Sequence, residues 1–277
     1  MGVQVLSGVF AVIVVLVVLL PQTLSRVEAA CAAPVINAVP QIGGELQIKI
    51  QSPCRKGELV VGRYGELMII ERFDENGNLA FHVDCFLGDR EIELTFENAA
   101  RPTIRSCAAV EKALTKVAIV WGDHVDLDLH AFEYAAALGS DYDRSARNPG
   151  SYDIARSDYS RSGRSHGFMS TISDGEKLGH NVEVYTLLRH AGEPRGLIAM
   201  GVGLGSHNNF LEYCGNGLRK QLRTDINVYI LEYGELRSYE RELAAQPCGS
   251  TPEPIIGNLI PNILLGNRRA VGPANGK

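Results

Sequence analysis

VWGDHVDLDLHAFEY, residues 120–134, decides how this chain is read. Apolar side chains alternate there with acids and histidines, the period of two that a half-buried β-strand shows and a helix does not. Trp121, Val125, Leu127, Leu129 and Ala131 fall on one face, with Asp123 as its polar exception. His124, Asp126, Asp128 and His130 fall on the other. Read as a single strand, the stretch predicts a sheet with a core on one side and a row of polar groups on the other.

The same period recurs on both sides of it. ELQIKIQ (45–51), ELVVGRY (58–64), LAFHVDCF (79–86) and EIELTFE (91–97) precede it. TKVAIVW (115–121) runs into it, and GFMSTI (167–172), NVEVYTLL (181–188), GLIAMGVGL (196–204) and INVYILEY (226–233) follow. These runs are rich in β-branched and aromatic residues and bounded by Gly, Asp, Asn and Pro. DENGNL (74–79) places Asn-Gly between two of them, a hairpin signal because that turn needs positive φ. No long helical stripe and no internal repeat occurs. The fold class expected is all-β in the main: two β-sandwich-like domains, a short helical connection near 108–115 and a polar insertion.

The expected division is a signal peptide over 1–29, a small immunoglobulin-like domain over 30–107, a second β-sandwich over 113–246 and an irregular tail over 247–277. The apolar run VFAVIVVLVVLL (9–20), with Val27-Glu28-Ala29 at signal-peptidase spacing, supports cleavage after Ala29. The n-region MGVQVLSG carries no Lys or Arg, so the alternative is a membrane anchor over 3–20, the only membrane association expected. Either way the remainder is expected to be extracytoplasmic, periplasmic or secreted. Six cysteines fit that compartment: Cys31, Cys54, Cys85, Cys107, Cys214 and Cys248. None forms a CxxC pair, and nearest-neighbour disulfides are expected, 31 with 54, 85 with 107 and 214 with 248. A net charge of −5 gives no basic surface for nucleic acid.

Residues 139–166 differ in composition, with five arginines, four aspartates and three tyrosines. A structureless segment of that length is uncommon in a compact domain. The readings are a solvated insertion held by Arg–Asp pairs, a lid or binding loop, and a partly helical segment starting at Tyr152 with Ser151 as its cap.

The polar face of the opening stretch is the candidate site. Asp126 and Asp128, aided by carbonyls or a loop carboxylate, suit Ca²⁺. His130 beside them favours Zn²⁺ or Mn²⁺. The four polar residues span on the order of 20 Å, so only two or three share an ion. Ordinary solvated alternation explains the same pattern. Asp174, in SDGE, is a weaker third ligand candidate.

The string WGDHVDLDLH (121–130), followed by Asp174-Gly175 and VEVYTLL, resembles the YfaP-like β-sandwich domains of exported bacterial proteins, a group of unknown function. More distantly, WGDHVDLDLHAF is similar to the tellurium-resistance TerD-type domain, a calcium-binding β-sandwich. The resemblance covers about 115–190 and implies Asp126 and Asp128 as metal ligands. His130 replaces the TerD-type serine and matches the YfaP-like pattern.

Two catalytic motifs are set aside. Gly163-Arg-Ser-His-Gly167 spells G-x-S-x-G but lacks the strand before and helix after that a nucleophile elbow requires, so Ser165 is not read as a nucleophile. Gly201-Val-Gly-Leu-Gly205 lacks the spacing and helix of a dinucleotide site. The function expected is an exported binding or structural protein of unknown ligand or cell-envelope partner, stabilised by Ca²⁺. The alternative is a metal-dependent hydrolase in which His130 joins Asp126 and Asp128 around Zn²⁺ or Mn²⁺.

Overall fold

The computed structural model describes residues 32–97, 101–104, 107, 114–122, 125–173, 180–190, 195–204, 221–247, 256–257 and 259–265. They form four antiparallel sheets and one helix, the mainly β, sandwich-like architecture that the alternation predicts. No helix among them is long and apolar enough to cross a membrane. The expected signal segment, Cys31, Cys214, Cys248, Asp174 and nearly all of the expected helical connection lie outside the described residues.

Strands β1 (Val35–Pro40), β2 (Glu45–Gln51) and β5 (Asn78–Asp84) make one sheet in that order. Strands β3 (Leu59–Tyr64), β4 (Leu67–Arg72), β6 (Ile92–Phe96) and β7 (Thr103–Ile104) make a second, ordered β4-β3-β6-β7. Alternation places Leu46, Ile48 and Ile50 of β2 inward, all fully buried. The Asn76-Gly77 turn forms, with Gly77 at φ 76° and Asp74 accepting the Asn78 and Asn76 amides at 2.7 and 2.8 Å. Those bonds hold the Asp74 carboxyl below its usual range. The turn is not a hairpin, because β4 pairs with β3 while β5 pairs with β2. The Ser52 amide donates to the Gly77 carbonyl at 2.8 Å, and a Cβ on Gly77 would lie 2.3 Å from the Ser52 carbonyl oxygen. Segment 52–53 thus occupies the place a hairpin partner would take. Cys85 and Cys107 are disulfide-bonded as expected, and Cys54 is disulfide-bonded too.

The third sheet is ordered β11-β12-β8-β14-β15, from β8 (Leu114–Gly122), β11 (Gly167–Ser173), β12 (His180–Leu188), β14 (Gln221–Glu232) and β15 (Glu235–Pro247). Its central strand β8 is buried along its length and carries the unbroken apolar run Val117–Trp121 because both its faces are covered. Ala118 and Val120 join the core formed with β2, β5 and β6, while Val117, Ile119 and Trp121 join a second core on the other side. The stretches expected as separate domains therefore share a core. Across that junction the fully buried Lys116 ammonium donates to Asp84 at 2.7 Å and to Thr186 at 3.1 Å.

The fourth sheet holds β9 (Leu127–Glu133), β10 (Asp143–Arg144) and β13 (Gly196–Leu204), with β16 (Ile256–Gly257) and β17 (Ile263–Leu265) both on β13. Residues 120–134 are thus not one strand. They leave the third sheet at Gly122 and enter the fourth at Leu127. The Trp121 indole N–H, buried in the core between the two sheets, donates to the Val125 carbonyl across the break at 2.6 Å. The region expected as an irregular tail also differs, since Ile260, Ile263 and Leu265 are core residues and the Asn262 side chain accepts the Met200 amide at 3.0 Å.

The polar insertion contains helix α1 (Tyr152–Ser162), which starts where its cap predicts. Ser151 accepts the Ile154 amide at 3.2 Å, and Gly163 ends the helix at φ 67°. Ala155 packs against Leu114, Phe168 and Leu188. The insertion is built into the fold, with Asp143, Arg144 and Ser145 all buried.

Candidate functional site

Along β9, Leu127, Leu129 and Ala131 point into the core, as alternation requires, and Asp128 and His130 point the other way. They do not face water. The chain turns back through Tyr134 and Ala135, pairs β10 with the end of β9 and lays residues 138–148 over the polar face. The Asn148 amide ties this cover together by donating to the Ser140, Asp141 and Asp143 carbonyls at 3.3, 3.1 and 3.0 Å. Beneath it lies a cavity of about 400 Å³, lined by Asp128, His130, Asp143, Arg147 and Asn148 among others.

His130 is held between two carboxylates. Its Nδ1 lies 2.7 Å from Asp143 Oδ1, and its Nε2 lies 3.6 Å from Asp128 Oδ2. Asp143 Oδ2 accepts the Gly139 amide at 2.7 Å, and Asp128 Oδ1 accepts the Ala146 amide at 3.2 Å. Stacking on Phe132, with ring centroids 5.6 Å apart, fixes the imidazole plane. Nδ1–H donation to Asp143 leaves the Nε2 lone pair directed toward the Asp128 side. Arg147 Nε is 3.8 Å from Asp128 Oδ2, but its side chain is 70% exposed.

Of the ligands expected from the sequence, Asp128 and His130 come together. Asp126 sits exposed just before β9 begins, and Asp174 lies outside the described residues. Among the described residues no group of three or more His, Cys, Asp and Glu side chains is arranged to hold a metal ion. Sequence reasoning missed Asp143, whose role depends on the turn that brings it back beside β9.

Two further acids near β9 were also missed. Glu183, on β12, reaches across the sheets, and its Oε2 accepts the Leu129 amide at 2.5 Å. Burial pushes its carboxyl up to about 8 against the effect of that bond, and the charges of Asp128 and Asp126 push it the same way. Glu133, wholly enclosed at the end of β9, accepts the Gly167 amide (2.7 Å) and the Tyr185 hydroxyl (2.8 Å) at Oε1. Its Oε2 meets His166 Nδ1 at 2.7 Å. Burial, then the Glu133 charge, raises the Tyr185 phenol well above its ordinary value. A Cβ on Gly167 would lie 2.4 Å from Tyr185 Cζ, so the last glycine of the G-x-S-x-G string serves packing. Ser165 is fully buried. Both acids lie on the apolar faces of their strands, which is the sequence signal that would have found them.

No family model and no curated protein matches this chain.

Proposed function

We propose that this chain is an extracytoplasmic binding protein whose pocket beside β9 takes up a divalent cation through Asp128 and His130. The observation that carries the reading is the 3.6 Å separation of Asp128 Oδ2 and His130 Nε2, a carboxylate oxygen and the acceptor nitrogen of a ring oriented by Asp143. Ligand bonds of about 2.0–2.4 Å at ordinary coordination angles put neighbouring donor atoms roughly 3–3.6 Å apart. A carboxylate behind a metal-binding histidine is the usual arrangement that fixes its tautomer and raises its basicity. An imidazole in the pair favours Zn²⁺ or Mn²⁺ over Ca²⁺. Two protein ligands leave the other coordination positions to water or to a donor group of a bound molecule, for which the cavity has room. The disulfides support an oxidising compartment.

The test is the melting temperature and the titration calorimetry of the full chain with Zn²⁺, Mn²⁺ and Ca²⁺ against a chelator. Zn²⁺ or Mn²⁺ is expected to raise the melting temperature, since a ligand bound only by the native state stabilises it. Asp143→Asn is expected to weaken that affinity about 10–100-fold while leaving both ligands in place. Asp128→Ala/His130→Ala is expected to abolish the shift. An equal shift in the double variant, or no shift with any of the three ions, overturns the proposal.

A further inference from the structure

The buried pair Glu133–His166 lies apart from the cation pocket, and its free ring nitrogen has a partner of a different kind. His166 Nε2 is 3.5 Å from Ser162 Oγ. Ser162 is the last residue of α1 and is exposed, while Glu133 and His166 are buried beneath it. The hydroxyl, the imidazole and the carboxylate thus stand in the order nucleophile, base and orienting acid, the constellation that defines a catalytic triad by geometry and not by sequence position.

The geometry points to a second functional site: Ser162, His166 and Glu133 form a serine-nucleophile centre for carboxylic esters. Three features fit the role. Glu133 is fixed by the Gly167 amide and the Tyr185 hydroxyl, so its Oε2 can hold only the Nδ1–H tautomer of His166, which leaves Nε2 as the base. The ring is held by Tyr142, stacked at 5.3 Å, and by the edge of Tyr134 at 5.4 Å. The C-terminus of α1 ends at Ser162, and the negative end of a helix dipole stabilises an imidazolium as it forms.

At rest the Ser162 hydroxyl donates to the Asp158 carbonyl at 2.8 Å and accepts the Arg164 amide at 3.1 Å. Reaction requires its proton to turn from that carbonyl to His166 Nε2. Oγ then bonds to the ester carbonyl carbon as the proton passes to Nε2. The C–O bond to the alcohol breaks, and the alcohol leaves with that proton. Water, deprotonated by the same nitrogen, adds to the acyl-serine, and the acid departs as Ser162 recovers its proton. Glu133 touches no reacting atom and is a positioning residue. The substrate class is an accessible ester, because the nucleophile stands at the surface and not in an enclosed pocket.

The experiment treats the full chain with a fluorophosphonate probe, locates the adduct by peptide mass spectrometry and follows hydrolysis of an aryl acetate. An adduct on Ser162 is expected, absent from Ser162→Ala, whose exposed position leaves the fold intact. His166→Gln is expected to slow labelling about 10²-fold, the usual contribution of a positioned base. Ser165→Ala, at the buried serine, checks the assignment by retaining the adduct. Absence of an adduct on Ser162 where a reference serine hydrolase labels fully, or ester hydrolysis unchanged in Ser162→Ala, overturns the proposal.

Discussion

Asp84→Ala is expected to destabilise the fold by about 3–5 kcal/mol, the cost of leaving a buried charge without its partner. Lys116 lies in the middle of the central sheet with no exposed surface, and Asp84 is the carboxylate that neutralises it. Asp84 is satisfied from a second side as well, since the Ser170 hydroxyl donates to its Oδ2 at 2.8 Å. Truncation therefore strips the ammonium of its counter-ion and the Ser170 hydroxyl of its acceptor at once. The check is urea unfolding, with the midpoint falling at constant slope. Asp84→Leu/Lys116→Met removes both charges and is expected to recover most of the loss, because paired buried charges offset desolvation only partly. Equal destabilisation of the single and double variants would show that shape at this junction, and not charge, matters.

The second large effect has the opposite sign and depends on pH. The Glu183 carboxyl titrates at about 8 in the folded chain against a reference value of 4.5, because burial disfavours its charged form. Between those values the folded state holds a proton that the unfolded state has released. Stability from this group is thus complete below about 4.5, declines as pH rises, and is gone above about 8. Glu183→Gln keeps an oxygen for the Leu129 amide and carries no charge. It is expected to match the wild-type protein near pH 4.5 and to exceed it at pH 9 by about 3–5 kcal/mol. Thermal melts in chelator at both values measure this, and a constant difference between the two proteins would count against the buried carboxyl as the cause. The charges of Asp128 and Asp126, which face Glu183, add to the penalty.

Where each side chain acts only on its neighbours in the chain, the sequence was readable. The period of two located β2, β3, β5 and β6, and Ser151 with Tyr152 located the start of α1. Residues 120–134 misled because the alternation continues through a change of sheet. Asp123 apart, the polar and apolar parity runs unbroken from the end of β8 at Gly122 to the start of β9 at Leu127, so Asp126 was grouped with side chains it does not join. The candidate site was half legible. Asp128 and His130 are two apart on one strand and must share a face. Asp143, Glu183 and His166 reach β9 from three separate segments, and only the folded topology brings them there. Glu133 and Glu183 did leave a trace, each an acid in register with core residues, which is costly unless the acid is bonded.

The attachment of β16 and β17 to β13 bears on how the chain is made. One edge of β13 is covered by β9, which is synthesised before it, and the other waits for residues 256–265, which follow β13 in the chain. Synthesis proceeds at about 5–20 residues per second, so for some seconds β13 presents an open row of amides and carbonyls to its surroundings. The fourth sheet therefore closes only once residues 256–265 have been made. Whatever escorts the nascent protein has most reason to hold it at that edge, and a chain cut short before residue 256 would keep a permanently adhesive strand.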